Sequence, residues 1–303
     1  LFFFNYPSTT DTNILSLHDA LPISRKEKNM FKIKNLSDND NIVSLETMGP
    51  FQTFEYKKDM SVNPYTAQNE WFNAEMNVRK RQVLCRVNED LPIITQAGAM
   101  QWTIGQVECT TGVKGVGDFA KKMVGASVSK ETTIKPEYCG KGFLMLEPTY
   151  KYLVLLNVND WGKVVLDDGL FLACTGDVVQ KITRRRTVSS AFSGEGLFNL
   201  CLSSKGDNAY AVLESNTPKS ELIEIELQND IIKIDGNLAI AWSDTLDFTV
   251  ERSSKSLIGS MANGEGLVNV YRGSGRILMA PVASNNMSNQ ELMAMMMAKK
   301  QNG

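Results

Sequence analysis

Histidine is nearly missing from this chain, with one residue, His18, among 303. It sits in an N-terminal stretch read below as foreign, so the native protein is expected to have none. That removes the commonest general base and the commonest metal ligand. Ser-His-Asp and Cys-His arrangements are excluded with it. Cysteine is sparse as well. Cys85, Cys109, Cys139, Cys174 and Cys201 are odd in number and widely spaced, with no C-x-x-C pair. Zinc and thioredoxin patterns are therefore absent, and buried thiols in a reducing cytoplasm are the expectation. No apolar run reaches the length of a membrane span, and the most apolar stretch, Tyr152 to Leu156, has the length of a core strand. Charge of either sign is not in excess. The formal net charge is −2 and the pI about 5.7, which argues against broad phosphate-backbone binding.

The start of the chain reads as two pieces of foreign sequence. Leu15 to Ile23 resembles the translation of a widely used sequencing adapter, and Arg25-Lys26-Glu27-Lys28 can be encoded wholly by purines. The second piece suits a bacterial ribosome-binding site read through in frame. The expectation is that residues 1–29 are an artefact and that the native start is Met30.

What is present is a phrase used twice. Gly194-Glu195-Gly196-Leu197-Phe198-Asn199-Leu200 returns 70 residues later as Gly264-Glu265-Gly266-Leu267-Val268-Asn269-Val270. Asp168-Gly169 and Asp235-Gly236 precede the two phrases as matching turns. A worn first copy runs through Ala99-Met100-Gln101-Trp102, Gly125 and Gly142 to Pro148. Three copies with a period near 70 residues predict a mainly β fold. The copies are expected to pack as a pseudo-threefold closed barrel or prism, resembling a double-stranded β-helix, which protects edge strands by closure. Residues 30–283 would form this single domain. A short helix is expected within 116–124. A Met-rich helix or tail is expected over 284–303, opened by the capping-box pattern Ser288-Asn289-Gln290-Glu291.

Strand signals fill most of the domain. Phe51 to Tyr56, Gln82 to Val87, Ile93 to Thr95, Ala99 to Thr103, Val107 to Thr110 and Gly140 to Leu146 read as strands. Leu153 to Val158 reads as a strand buried on both faces. Glu221 to Leu227 alternates strictly, Asn229-Asp230 reads as a turn, and Ile232 to Ile234 as the return strand. Lys57 to Glu70 reads as a loop, and Trp71 to Asn77 fits helix and strand equally.

No catalytic constellation emerges. Gly112, Gly115 and Gly117 lack the Walker lysine and the dinucleotide context. Lys255-Ser256 are neighbours in a strand end and point apart. Asp167, Asp168, Asp177, Asp244 and Asp247 could ligate a metal, but turns favour Asp for backbone reasons. The basic triplet Arg79-Lys80-Arg81 could bind an anion but reads as a solvated strand end. Lys181 with Arg184-Arg185-Arg186 could engage an anionic partner, though alternation sends Arg185 to the opposite face and weakens any single patch. Glu195 and Glu265 repeat because each copy makes the same turn. No catalytic, cofactor-binding or metal-binding residue is expected, and no cofactor.

These phrases, with Asp167 to Ala173, Asp235 to Trp242 and Gly273-Ser274-Gly275-Arg276-Ile277-Leu278-Met279-Ala280-Pro281, make the chain resemble the altered inheritance of mitochondria protein twenty-four family. The resemblance covers most of Phe51 to Pro281. It implies a fold like that of the tryptophan RNA-binding attenuation protein group and, from the fungal member, a link to mitochondrial inner-membrane organisation. It brings no catalytic or ligand residue. The family-motif residues Gly194, Glu195, Gly196, Asn199, Gly264, Glu265, Gly266, Asn269, Asp168, Gly169, Asp235 and Gly236 are read as structural. The function expected is a non-enzymatic scaffold or interaction protein of the bacterial cytoplasm. Its partner would be another protein or a second copy, and peripheral membrane association is compatible with the reading. A small-ligand or nucleic-acid module on the barrel is the alternative, with nucleic acid disfavoured by charge. A large exposed apolar patch would favour the scaffold, and a deep pocket with converging polar groups the ligand module.

Overall fold

A computed structural model describes residues 31–111, 135–185, 197–252 and 267–282. Residues 1–29, the helix expected within 116–124, the helix or tail expected over 284–303, Gly112 to Gly125, Lys255-Ser256 and the Gly-Glu-Gly triplets at 194–196 and 264–266 lie outside these ranges.

Among the described residues sixteen strands follow one another: β1 (Ile42–Met48), β2 (Phe51–Tyr56), β3 (Arg81–Val87), β4 (Ile93–Thr95), β5 (Met100–Thr110), β6 (Glu137–Leu146), β7 (Tyr152–Asn157) and β8 (Lys163–Leu166) in the first half. Then come β9 (Phe171–Thr175), β10 (Val178–Arg185), β11 (Leu197–Ser204), β12 (Tyr210–Ser215), β13 (Ile223–Asp235), β14 (Ala239–Ser243), β15 (Asp247–Arg252) and β16 (Leu267–Met279). A single α-helix, α1 (Ala67–Glu75), joins β2 to β3 among the described residues. One sheet of nine strands runs β1-β2-β3-β6-β4-β9-β12-β7, with β5 on β6. A second sheet of seven runs β10-β11-β8-β14-β16-β13, with β15 on β16. Instead of one closed barrel, the first sheet is nearly closed and barrel-shaped, and the second is a half-barrel.

Period-two burial builds three successive cores. Leu153 and Leu155 of β7, with Val212 of β12, face the first sheet's interior beside Phe51, Ile93 and Leu144. Val154, Leu156, Ala211 and Leu213 face the other way and meet Val164, Leu166, Leu200 and Leu202 of the second sheet. Val165 and Cys201 point into a third core with Trp242, Tyr271 and Ile277. Trp242, Phe248 and Tyr271 pack there with ring centroids 5.0–5.7 Å apart. Such strands have no solvent face, which is why they read as near-continuous apolar runs.

Two local expectations change. Asn229-Asp230 is no hairpin turn: β13 continues through it as one strand of 13 residues, paired to β16 with a register shift between Leu227 and Asp230. Asn229 takes φ +53° and its N–H donates to Ser274 Oγ at 2.8 Å, so the turn-forming residue is absorbed as a bulge. Gly105 likewise does not separate two strands. β5 runs through it because Gly105 lies against Gly142 of β6, where a Cβ on either glycine would strike backbone.

Candidate functional site

Of the described motif residues, Asp168, Gly169 and Gly236 lie in turns, while Asp235, Asn199 and Asn269 lie in β13, β11 and β16. Gly169 has φ +76° and Gly236 φ +64°, the left-handed conformation that glycine adopts without strain. Asn199 is buried and its amide donates to Leu166 O at 3.0 Å, on the approach to the Asp168-Gly169 turn. Asn269 donates to Gly236 O at 2.9 Å in the Asp235-Gly236 turn. The two phrases thus each place an amide on a backbone carbonyl, at the end of the strand before one turn and inside the other. The aspartates weighed for metal are not gathered, and no group of three or more metal-ligating side chains exists among the described residues. Asp177 instead accepts the Asn208 N–H at 3.1 Å.

A groove of about 330 Å³ lies where several motifs meet, lined by Gln96, Gly98, Glu147, Pro148, Gly169, Phe171 and Glu214. Lys151 pairs with Glu214 at 2.9 Å. Lys135 donates to Gln96 at 3.1 Å and lies 3.9 Å from the Phe171 ring centroid. It is an open surface feature of mixed charge, without the enclosed apolar wall of a ligand cavity.

The stronger candidate is the segment between β2 and β3. Asn63 Oδ1 accepts the N–H groups of Tyr65 (2.9 Å) and Thr66 (3.2 Å), and α1 starts there. Val78 N–H bonds Asn73 O at 2.8 Å and Asn77 N–H bonds Ala74 O at 3.3 Å, with Asn77 at φ +61°. This is a Schellman ending with asparagine in the left-handed position. The helix is turned the unusual way round. Ala74 is its one buried residue, with Glu70 and Asn73 half-buried. Tyr65 is 93 % exposed, Met76 74 %, Phe72 57 % and Trp71 52 %, and Met60 and Val78 are exposed beside them. Lys58 sits 4.5 Å from the Trp71 ring centroid.

A buried ionic anchor holds this segment. The Arg81 side chain is 2 % exposed and meets Glu55 at 2.7 Å. It also donates to Asn77 O (3.0 Å), Arg79 O (3.1 Å) and Tyr150 O (3.3 Å), over the face of Tyr152. Arg79 takes the other Glu55 oxygen at 2.9 Å, and Lys80 pairs with Asp59. The Lys80 ammonium holds the Asp59 carboxyl below its usual range. The Arg79-Lys80-Arg81 run is therefore neither a solvated strand end nor an anion site, because each cation already has a carboxylate. Sequence reasoning missed the surface. Tyr65, Phe72 and Met76 share one helical face, but spacing alone does not say which face meets the core.

Residues 73–282 match the family described as Mitochondrial biogenesis AIM24. The chain belongs to this family. An uncharacterised protein of Streptococcus pyogenes serotype M6 is 30 % identical over 193 residues, 61 % of this chain and 75 % of that protein. A crystal structure of a Streptococcus pyogenes protein shares the fold at TM-score 0.51 and 24 % identity, covering 73 % of this chain and 94 % of that one. The AIM24 match begins at residue 73, so Met60, Tyr65, Trp71 and Phe72 precede it. Among the described residues no helix is long and apolar enough to cross a membrane.

Proposed function

We propose that this AIM24-family chain is a non-enzymatic interaction protein of the bacterial cytoplasm, and that it docks a partner protein on the outward face of α1. The observation that carries this is the set Tyr65, Trp71, Phe72 and Met76, all exposed on α1 and the residues that flank it, in a segment held by the buried Arg81–Glu55 pair. Aromatic residues and methionine are enriched in the cores of protein interfaces. Several large apolar side chains exposed within one short segment favour an interaction site over ordinary surface. Lys58, over the Trp71 ring, stands beside them and suits a partner whose rim is acidic. Arg79 and Lys80 are ion-paired and so add little to a basic surface of the kind that anionic membranes attract. The family's link to mitochondrial organisation enters only through the family's name. A three-unit reading of the β domain belongs to the same proposal. It is supported by three hairpins of one kind, β5 with β6, β10 with β11 and β15 with β16.

The test is affinity capture with the wild-type protein and with a Trp71→Ser/Phe72→Ser variant, followed by direct titration of each partner identified. Loss of two aromatic anchors is expected to weaken binding about 30-fold or more, from about 2 kcal/mol for a hot spot. A partner bound equally by both proteins, or sedimentation of the wild type alone with anionic vesicles, refutes docking of a protein on α1.

A further inference from the structure

We infer that a second copy of this chain pairs edge to edge with the first, β13 of one against β5 of the other. The chain treats equivalent strands alike. The strand before one Gly-containing turn twice pairs with the strand after the next such turn. β4 ends at the Gln96-Ala97-Gly98 turn and pairs with β9, which follows the Asp168-Gly169 turn, in the register Ile93↔Thr175. β8 ends at the Asp168-Gly169 turn and pairs with β14, which follows the Asp235-Gly236 turn, in the register Val164↔Ser243. Each junction is extended by one further bond of the same kind, Gln96 N–H to Leu172 O at 2.8 Å and Asp167 N–H to Ile240 O at 2.9 Å.

The third pairing of the series is not made. β13 ends at the Asp235-Gly236 turn and, among the described residues, pairs with β16 alone. β5 follows the Gln96-Ala97-Gly98 turn and pairs with β6 alone. The two unmatched strands are long, 13 and 11 residues. Ile231 of β13 is 45 % exposed and Met100 of β5 is 42 % exposed. Long edges carrying apolar side chains are templates for another strand.

Charge selects between the two ways a second copy could bind. β13 carries Glu224, Glu226, Asp230 and Asp235 against Lys233 alone, so pairing with itself sets acids near acids. β5 from Met100 to Val107 has no charge at all. The contact therefore joins unlike strands; made reciprocally by two copies it closes a twofold dimer, and made once per pair it builds a ring or an open chain.

The experiment measures mass by light scattering across about a hundredfold range of concentration, with hydrogen exchange on the same samples. The wild type is expected above the 33.6 kDa of one chain, with β5 and β13 amides exchanging more slowly as concentration rises. Ile231→Pro blocks one edge and Thr103→Pro the other, so each variant alone is expected to be monomeric. Mixed, they retain one intact β13 and one intact β5, and are expected to form a dimer that grows no further. A wild type that stays monomeric throughout, with unchanged exchange in both strands, overturns the inference. So does a Thr103→Pro variant that still dimerises, which is the signature of β13 pairing with itself. If either variant fails to fold, the concentration dependence of wild-type exchange decides alone.

Discussion

Replacing Arg81 by alanine tests the anchor under α1. The guanidinium is buried, at 2 % exposure, and its Glu55 partner is 12 % exposed, so solvent screens the pair little. Alanine removes the 2.7 Å ion pair and four donations, and leaves the carbonyls of Asn77, Arg79 and Tyr150 without that donor. Breaking one side of a buried pair costs about 3–5 kcal/mol, mostly from the charge and carbonyls left behind. Glu55 keeps Arg79, which holds the loss toward the lower end of that range. Arg79→Ala is the control. It removes the half-exposed member of the same cluster, for which about 0.5–1 kcal/mol is expected. Urea unfolding of both variants, at matched m-values, measures the gap. A domain of this size should lose about 2–4 °C in Tm per kcal/mol, so thermal melts give an independent reading. Amide exchange in α1 should accelerate in Arg81→Ala, because Asn77 O at the helix end is one of the lost partners. An Arg81→Ala variant within about 1 kcal/mol of Arg79→Ala refutes the account.

Two further outcomes are expected. A Cβ on Gly142 would lie 2.0 Å from Ile104 O, so Gly142→Ala must force the β5–β6 ladder apart. A cost of about 2–3 kcal/mol is expected in urea melts, against about 1 for Gly162→Ala, which meets open space and suffers only from its positive φ. Arg272 and Thr249 hold the Glu251 carboxyl down at about 2, from an unperturbed 4.5. A lowered folded-state value stabilises above pH 4.5 and is lost as pH falls through 2, so the acid limb of stability should flatten over that window in Glu251→Gln. Because the pair is part-exposed the effect is small, and an unchanged acid limb would show that the pair contributes nothing.

Much of the core was legible because its signals are local. Leu153 to Leu156 are all apolar, and the strand is buried on both faces. Asp168-Gly169 and Asp235-Gly236 read as turns, and both glycines adopt positive φ. Asn229-Asp230 carries an equally good turn signal and misled, because pairing with β16 over 13 residues outweighs a two-residue preference. The Arg79-Lys80-Arg81 run misled for a related reason. Glu55 lies 26 residues before Arg81 and on another strand, so no local pattern announces that the charge is buried and paired.

The sequence by itself determined that the chain is mainly β, where many of its strands and turns fall, and which family it belongs to. Period-two burial, glycine's access to positive φ and the repeated phrases act over a few residues and survive in one dimension. Only the tertiary structure decided that α1 turns Trp71 and Phe72 outward and that Arg81 is buried on Glu55. It alone decided that the sheets end in the unmatched edges of β5 and β13. Each of these depends on which distant surface meets a given face, and hydrophobic burial does not specify its partner until the chain has folded.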